Sequence, residues 1–248
     1  MSSLTIIIPC FNHAKFLKKR LDSILNQTYT DWELIIIDDN STDNSVEILS
    51  EFVEKNLSKV KHFIINDSNS GSGYYSWKKG ISLTQTKYIW IAETDDYSDL
   101  NFVKKLINVL ESNEDIKFVF SASNYVEENK IIYNSSKRTE FLNVKENKVG
   151  IFNGDVLISK MPFETPITNG SSVIFKKPIN AIPDLLFENK QTSDIFLWTY
   201  IVNGFSFAFV NERLNYFRRH SDSTTTKLSL NSLKNIYKEN VVYLNFFN

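Results

Sequence analysis

Three short polar stretches stand out against apolar surroundings: Pro9-Cys10-Phe11-Asn12, Asp38-Asp39-Asn40-Ser41-Thr42-Asp43 and Glu93-Thr94-Asp95-Asp96. Each follows a run rich in Ile, Leu or Trp, so each lies where a buried strand would surface. In an open parallel sheet, ligands bind beyond the carboxyl ends of the strands. Two acidic clusters on one such edge repel each other unless a cation lies between or near them. A divalent metal carrying a diphosphate answers that need. A single Asp after a strand is more often a helix cap or turn former, and Asp43 is read that way. The joint pattern is what points to chemistry.

The elements that must position these clusters follow from hydrophobic periodicity. Leu4 to Ile8 reads as a buried strand, and Leu17, Leu21, Ile24 and Leu25 then recur at helical spacing. Leu34 to Ile37, Val60 to Ile65, Tyr88 to Ala92 and Phe118 to Ser121 read as further strands. Between them lie helices carrying Val46, Ile48, Leu49 and Phe52, then Trp77 and Ile81, then Phe102, Val103, Leu106, Val109 and Leu110. Strands alternating with amphipathic helices predict an α/β fold, Rossmann-like, of three α/β/α layers with a mostly parallel central sheet. From Ser123 to Lys148 the alternation stops and loops with a hairpin are expected. Val173 to Phe175 and Phe205 to Val210 read as strands around a helix at Ser193 to Val202, and an amphipathic C-terminal helix begins at Leu228.

The chain has 248 residues, 28 basic against 29 acidic, a formal net charge of −1 and 42% hydrophobic residues. That suffices for one large core, and nothing in the charge calls for nucleic acid as a partner. Cys10 is the one cysteine, which excludes an intrachain disulfide framework and makes a reducing cytoplasm the expected compartment. Neither a secretory leader nor a membrane-spanning run is expected.

With these residues in place, the chain resembles the family 2 glycosyltransferases, bacterial inverting enzymes of the GT-A fold. The resemblance rests on Ile6-Ile-Ile-Pro-Cys-Phe-Asn, Ser23-Ile-Leu-Asn-Gln-Thr-Tyr and Trp32-Glu-Leu-Ile-Ile-Ile-Asp-Asp-Asn-Ser-Thr-Asp. It continues through Asn69-Ser-Gly, Trp77-Lys-Lys-Gly and Tyr88-Ile-Trp-Ile-Ala-Glu-Thr-Asp-Asp. It implies a glycosyltransferase domain over residues 1–228, with a nucleotide-sugar half (1–120) and an acceptor half (121–228), followed by a C-terminal helix (229–248). By the same resemblance, Pro9, Phe11 and Asn12 line a nucleotide pocket and Asp39 accepts a hydrogen bond from the base, which favours a UDP- or dTDP-sugar. Asp38 is read as structural. Glu93-Thr94-Asp95 is similar to the family's Asp-x-Asp motif with its first Asp lengthened to Glu. Asp95 is then the expected ligand of Mn²⁺ or Mg²⁺, and Glu93 touches the ribose or a metal-bound water. Lys79 is either a phosphate partner or a solvated helix residue.

Inverting transfer needs a carboxylate to take the proton from the attacking hydroxyl. Thr192-Ser193-Asp194-Ile-Phe-Leu-Trp stands where the family places this base, with Ser193 in place of the usual Glu, so Asp194 is the implied base; a helix first-turn residue is the plain alternative. His220, after Tyr216-Phe-Arg-Arg, resembles a segment whose His reaches the metal. Arg218 and Arg219 are candidates for phosphate or an anionic acceptor. Asp96, Asn169, Gly170 and Trp198 are expected on the acceptor side, Trp198 as a sugar-stacking ring one turn after Asp194. Trp90 is read as core, and His13 and His62 as ordinary surface or packing residues.

The expected partners are a nucleotide-sugar donor and a glycan or lipid-linked acceptor. The C-terminal helix is free to pack on the domain, pair with a second copy, or lie on the inner membrane face. Surface polysaccharide, lipopolysaccharide and glycoprotein assembly are all compatible. Two rivals remain. A dinucleotide enzyme would need a glycine-rich turn after the first strand, which Pro-Cys-Phe-Asn lacks; a catalytically silent relative that only binds a glycan or a partner is kept open by Glu93 and Ser193.

Overall fold

The computed structural model describes residues 2–128, 130–221 and 230–247. The first part is a run of parallel crossover units: β1 (Leu4–Cys10), α1 (Ala14–Leu25), β2 (Trp32–Asp38), α2 (Ser45–Lys55), β3 (Val60–Ile65), α3 (Gly73–Leu83) and β4 (Tyr88–Ile91). A short strand β5 (Tyr97–Ser98) and α4 (Phe102–Ser112) lead into β6 (Ile116–Glu127) and β7 (Lys130–Asn134). Then come α5 (Ser136–Thr139), β8 (Val149–Asn153), α6 (Gly154–Ile158), β9 (Val173–Lys176), α7 (Ser193–Val202), β10 (Ser206–Arg218) and α8 (Leu230–Phe247).

The central sheet runs β3-β2-β1-β4-β9-β6-β10-β5, with β7 beside β6 and β8 beside β10. The expectation of a mostly parallel sheet holds for β3-β2-β1-β4 and for the β6–β10 pair. The other pairings are antiparallel: β9 enters between β4 and β6 in the opposite direction, and β5, β7 and β8 pair antiparallel with β10, β6 and β10. The hairpin expected between Ser123 and Lys148 is β6–β7.

Alternation along β1 shows how the layers form. Leu4, Ile6 and Ile8 pack on one face against Leu17, Leu21, Leu49, Phe52 and Phe102 of α1, α2 and α4. Ile7 points to the other face, into a core with Trp77 and Ile81 of α3, Leu157 of α6 and the apolar residues of α7. Helix α8 closes that second face by burying Tyr243, which packs edge-on against Phe196 and shares a 2.8 Å hydrogen bond with Thr199. Leu228, where the sequence reading begins this helix, and Ser229 lie outside the described residues. Among the described residues no helix is long and apolar enough to cross a membrane.

Candidate active site

The loops after β1 and β2 are tied to each other. Asn12 sits in the left-handed region (φ 53°), which Asn tolerates better than most residues. Its Oδ1 accepts from Thr42 N at 2.7 Å, and its own N–H donates to Ser41 Oγ at 2.9 Å. Asp38 is buried and accepts from both the N–H and the hydroxyl of Ser41. Asp43 accepts from Ala14 N and Ser45 N, bridging the starts of α1 and α2. Phe11 projects beside this knot with 42% of its surface exposed, a free aromatic face at the edge of the sheet.

Asp39 departs from the expected base acceptor. Its carboxylate receives Asn66 Nδ2, Asn69 Nδ2, and both the N–H and the hydroxyl of Ser70, at 2.7 to 3.1 Å. A carboxylate offers about four lone-pair sites, so Asp39 here holds the 66–70 loop and has no acceptor left over. Lys79 joins the same network by donating to Asn66 Oδ1 at 2.9 Å, which puts its ammonium on the loop rather than on a phosphate position.

The end of β4 is built around a buried cation, Arg20 of α1, whose relative exposure is 0%. Its Nε donates to the Glu93 carbonyl at 2.8 Å and one terminal nitrogen to Ser171 Oγ at 3.0 Å. Burial lowers its pKa to about 10, partly offset by Asp96 and Asp95, so it remains charged among the acids it neutralises. Glu93 is held well above the usual carboxylate range by burial and then by the negative charges of Asp96, Asp95 and Asp194. Burial also opposes ionisation of Asp95, but the hydrogen bond with His220 leads the influences that outweigh it and lower the pKa. His220 Nε2 stands 3.2 Å from Asp95 Oδ2.

His13 corrects the reading of an ordinary packing residue. It joins Asp95 and His220 in a cluster whose candidate ligand atoms all lie within 4.8 Å of one another. Its Nδ1 is 2.6 Å from Thr94 Oγ1, and its ring meets His220 edge-on at 6.0 Å. Burial lowers its pKa, which keeps the imidazole neutral at physiological pH. Phe16 walls the cluster, packing on both rings. Alongside opens a cleft of about 810 Å³ lined by Lys15, Lys19, Arg219 and His220. Arg218 also lines it, but is largely buried, with its N–H on Asp96 Oδ1 and its guanidinium over Phe16 and Tyr97, so it is first a support for the loop.

The four residues expected at the acceptor are all buried. Asp96 is fully buried; it accepts from Arg218 N and Asn169 Nδ2, and burial followed by Asp95 pushes it up to about 7. Asn169 uses its Nδ2 on Asp96 and its Oδ1 on Asn215, joining β4 to β10. Gly170 makes room for a ring, not for a ligand: a Cβ there would lie 2.5 Å from the Trp77 indole. Trp198 is 0% exposed, packed among Trp77, Phe118 and Phe175. The helix Ser-Asp-Ile-Phe-Leu-Trp-Thr-Tyr-Ile-Val is apolar almost all round, the mark of a buried helix, and that signal outranks the one-turn spacing from Asp194.

Asp194 is different. It is partly exposed in the first turn of α7, accepts from Tyr74 OH at 3.2 Å, and is pushed by burial up to about 6 despite the hydrogen bonds of Ile195 N and Tyr74. Three more residues that the sequence reading did not single out steady this corner. Tyr74 holds the carboxylate, Glu239 of α8 receives Lys190 N, Gln191 N and Thr192 Oγ1 at the start of α7, and Ser171 ties Glu93 N to Arg20.

Known proteins resemble this chain in sequence and in fold. The glycosyltransferase GlyG of Streptococcus pneumoniae is 30% identical over 124 residues, 50% of this chain and 40% of that protein, so the chain spans less than half of that relative. The structure of Staphylococcus aureus TarS 1-349 in complex with UDP-GlcNAc matches with a TM-score of 0.68 at 14% identity, covering 98% of this chain and 66% of the other. The mannosyltransferase PcManGT from Pyrobaculum calidifontis, in complex with GDP-Man and Mn²⁺, matches with 0.60 at 14% identity over 97% and 62%. At such identities these structures speak for the fold, which is the GT-A glycosyltransferase arrangement. The sequence itself, from the first strand through the acidic motif, fits the description Glycosyl transferase family 2 over residues 5–166, and the chain belongs to that family.

Proposed function

We propose that the chain is an inverting glycosyltransferase that moves a sugar from a nucleoside diphosphate, with UDP- or dTDP-sugars favoured, to an acceptor hydroxyl in bacterial surface glycan synthesis. The observation that carries this reading is the pairing of two unlike carboxylates around one edge of the sheet. Asp95 is kept ionised beside His220, whereas Asp194 has a raised pKa of about 6 and an open face. Environments that push two acids apart assign them different tasks.

Asp95 and His220 fit a divalent cation by donor type and mutual distance. Such a cation, when bound, supplies positive charge to the departing diphosphate. The chain's own residues account for the rest. Phe11 offers a face for a nucleobase, Asn12 fixes the loop that carries it, and Arg20 holds the Glu93 main chain in place. Asp194, ionised above its pKa, accepts the proton of the attacking hydroxyl, and Tyr74 orients it by donating to Oδ1.

The acceptor is a glycan or a lipid-linked saccharide. Exposed Leu233, Tyr237 and Val241 on α8, with Lys234 and Lys238 between them, support a cytoplasmic chain that meets a second copy or the inner membrane surface through this helix. Calorimetric titration of UDP, dTDP and GDP, with and without Mn²⁺, tests the donor reading. Metal-dependent binding of a pyrimidine diphosphate that Asp95→Ala abolishes is expected; failure of every nucleotide to bind overturns the proposal.

A further inference from the structure

Building on the donor and cation reading above, we propose that His13 is a third ligand of the cation, which makes the site a two-imidazole, one-carboxylate centre that selects Mn²⁺ and later first-row ions over Mg²⁺.

The hydrogen bonds around Thr94 fix which nitrogen of His13 is available. The Thr94 hydroxyl lies 3.2 Å from the Pro9 carbonyl, which can only accept, so its single proton goes there. Thr94 Oγ1 must then accept from His13, 2.6 Å away, so the proton of the neutral ring sits on Nδ1. Nε2 is left with its lone pair. Ligating histidines are commonly arranged this way, with the far N–H held by an oxygen that fixes tautomer and ring angle.

Distances agree with a shared ion. With metal–ligand bonds of about 2.1 Å, neighbouring octahedral ligand atoms stand ~3 Å apart and opposite ones ~4.2 Å. Here His220 Nε2 and Asp95 Oδ2 are 3.2 Å apart, and His13, Asp95 and His220 each offer a ligand atom within 4.8 Å of the others, His13 by one of its ring nitrogens. The main chain of His13 is also anchored, its N–H donating to Ser45 Oγ at 3.0 Å, so the ring is carried by a fixed loop. Three protein ligands leave the remaining positions for diphosphate oxygens and water. Mg²⁺ prefers oxygen donors and gives up water reluctantly, while imidazole suits the first-row transition ions. Two nitrogens in the set therefore discriminate between metals, which Asp95 with a single His would do weakly.

The test measures metal binding directly by Mn²⁺ electron paramagnetic resonance on the full chain, with Mg²⁺ and Co²⁺ as competitors, alone and with UDP. Wild type is expected to hold Co²⁺ more tightly than Mn²⁺, to hold Mn²⁺ at least about ten-fold more tightly than Mg²⁺, and to show spin-echo modulation from two imidazole nitrogens. His13→Ala and His13→Gln should each lose about ten-fold or more in Mn²⁺ affinity and show one nitrogen, with Mg²⁺ affinity nearly unchanged. Thr94→Val should weaken Mn²⁺ by a smaller factor that Thr94→Ser restores, and His62→Ala, on the exposed edge strand β3, should change nothing. Unchanged Mn²⁺ affinity and two-nitrogen modulation in both folded His13 variants would overturn the inference, as would equal affinity of wild type for Mn²⁺ and Mg²⁺. Normal Mn²⁺ binding by a wild type that ignores UDP would instead remove the donor reading and leave the metal centre standing.

Discussion

At the ends of β1, β2 and β4, polar side chains hold loops in place and leave groups partly exposed: Asn12 and Asp38 knit the first two loops, Phe11 is exposed, and His13 and Asp95 meet His220, which reaches over from the end of β10. Toward β9 and β10 the polar residues turn inward. Asn169 and Asn215 form one buried chain with Asp96 from the loop after β4, and Trp198 is fully buried in the core. On the proposed reading the first region is the donor flank, a parallel platform that presents several groups to a ligand, and the second is the acceptor flank, a scaffold that leaves Asp194 partly exposed.

If that contrast is right, Asp194→Asn produces the largest effect. Loss of a general base costs roughly 10²–10⁴ in kcat, while calorimetry should find UDP affinity within about two-fold of wild type, because the two flanks bind separately. A matching loss of UDP affinity would show that Asp194 belongs to the donor platform. Trp198→Ala comes next: truncating a fully buried indole destabilises by about 3–5 kcal/mol in chemical denaturation. A variant that stays as stable as wild type but loses acceptor affinity would return Trp198 to the binding surface and break the comparison.

The pH profile sharpens it further. The base works only when ionised, and Asp194 lies at about 6, so kcat/KM should rise with pH up to that value and level off above it. Tyr74 lowers this pKa by donating to the carboxylate. Tyr74→Phe should therefore move the acid limb to higher pH and reduce the rate several-fold near pH 6 while leaving the plateau less affected. An unshifted limb would mean that Tyr74 merely packs against Trp77, which it also touches edge-on.

These outcomes bear on what the sequence could tell. The strands from Leu4 to Ala92 and their helices were legible because period-2 and period-3.6 patterns are local, and Asp43 as a cap is a contact of neighbours in the chain. Of the candidate site, the place of Asp95 just after a strand was legible, because the motif that carries it is local in the chain. The site was not legible where long-range packing decides exposure. His13 meets Thr94 across 81 positions, Tyr74 meets Asp194 across 120, and Asp39 loses its lone pairs to a loop that begins 27 residues later. Gly170 looked like a ligand's clearance until the Trp77 ring was found there. For Trp198 a local signal did exist, the nearly all-apolar face pattern of α7, and spacing alone led the other way.

The smallest effect tests the open face of the donor platform. Phe11 is a large apolar side chain left 42% exposed next to a loop held by the bonds of Asn12 to Thr42 and Ser41, and a flat ligand stacked on the ring would take that area out of water. Stacking of a base on an aromatic side chain is worth about 1 kcal/mol at the weak end of its range. Phe11→Ala should accordingly weaken UDP roughly five-fold and raise the donor KM by a similar factor, with kcat, fold stability and Mn²⁺ affinity left alone. Phe11→Tyr should retain wild-type binding. Should Phe11→Ala leave UDP affinity intact, the base lies elsewhere, and the 66–70 loop gathered by Asp39 becomes the place to look, since its Asn and Ser groups are the nearest donors that could exchange Asp39 for a ligand.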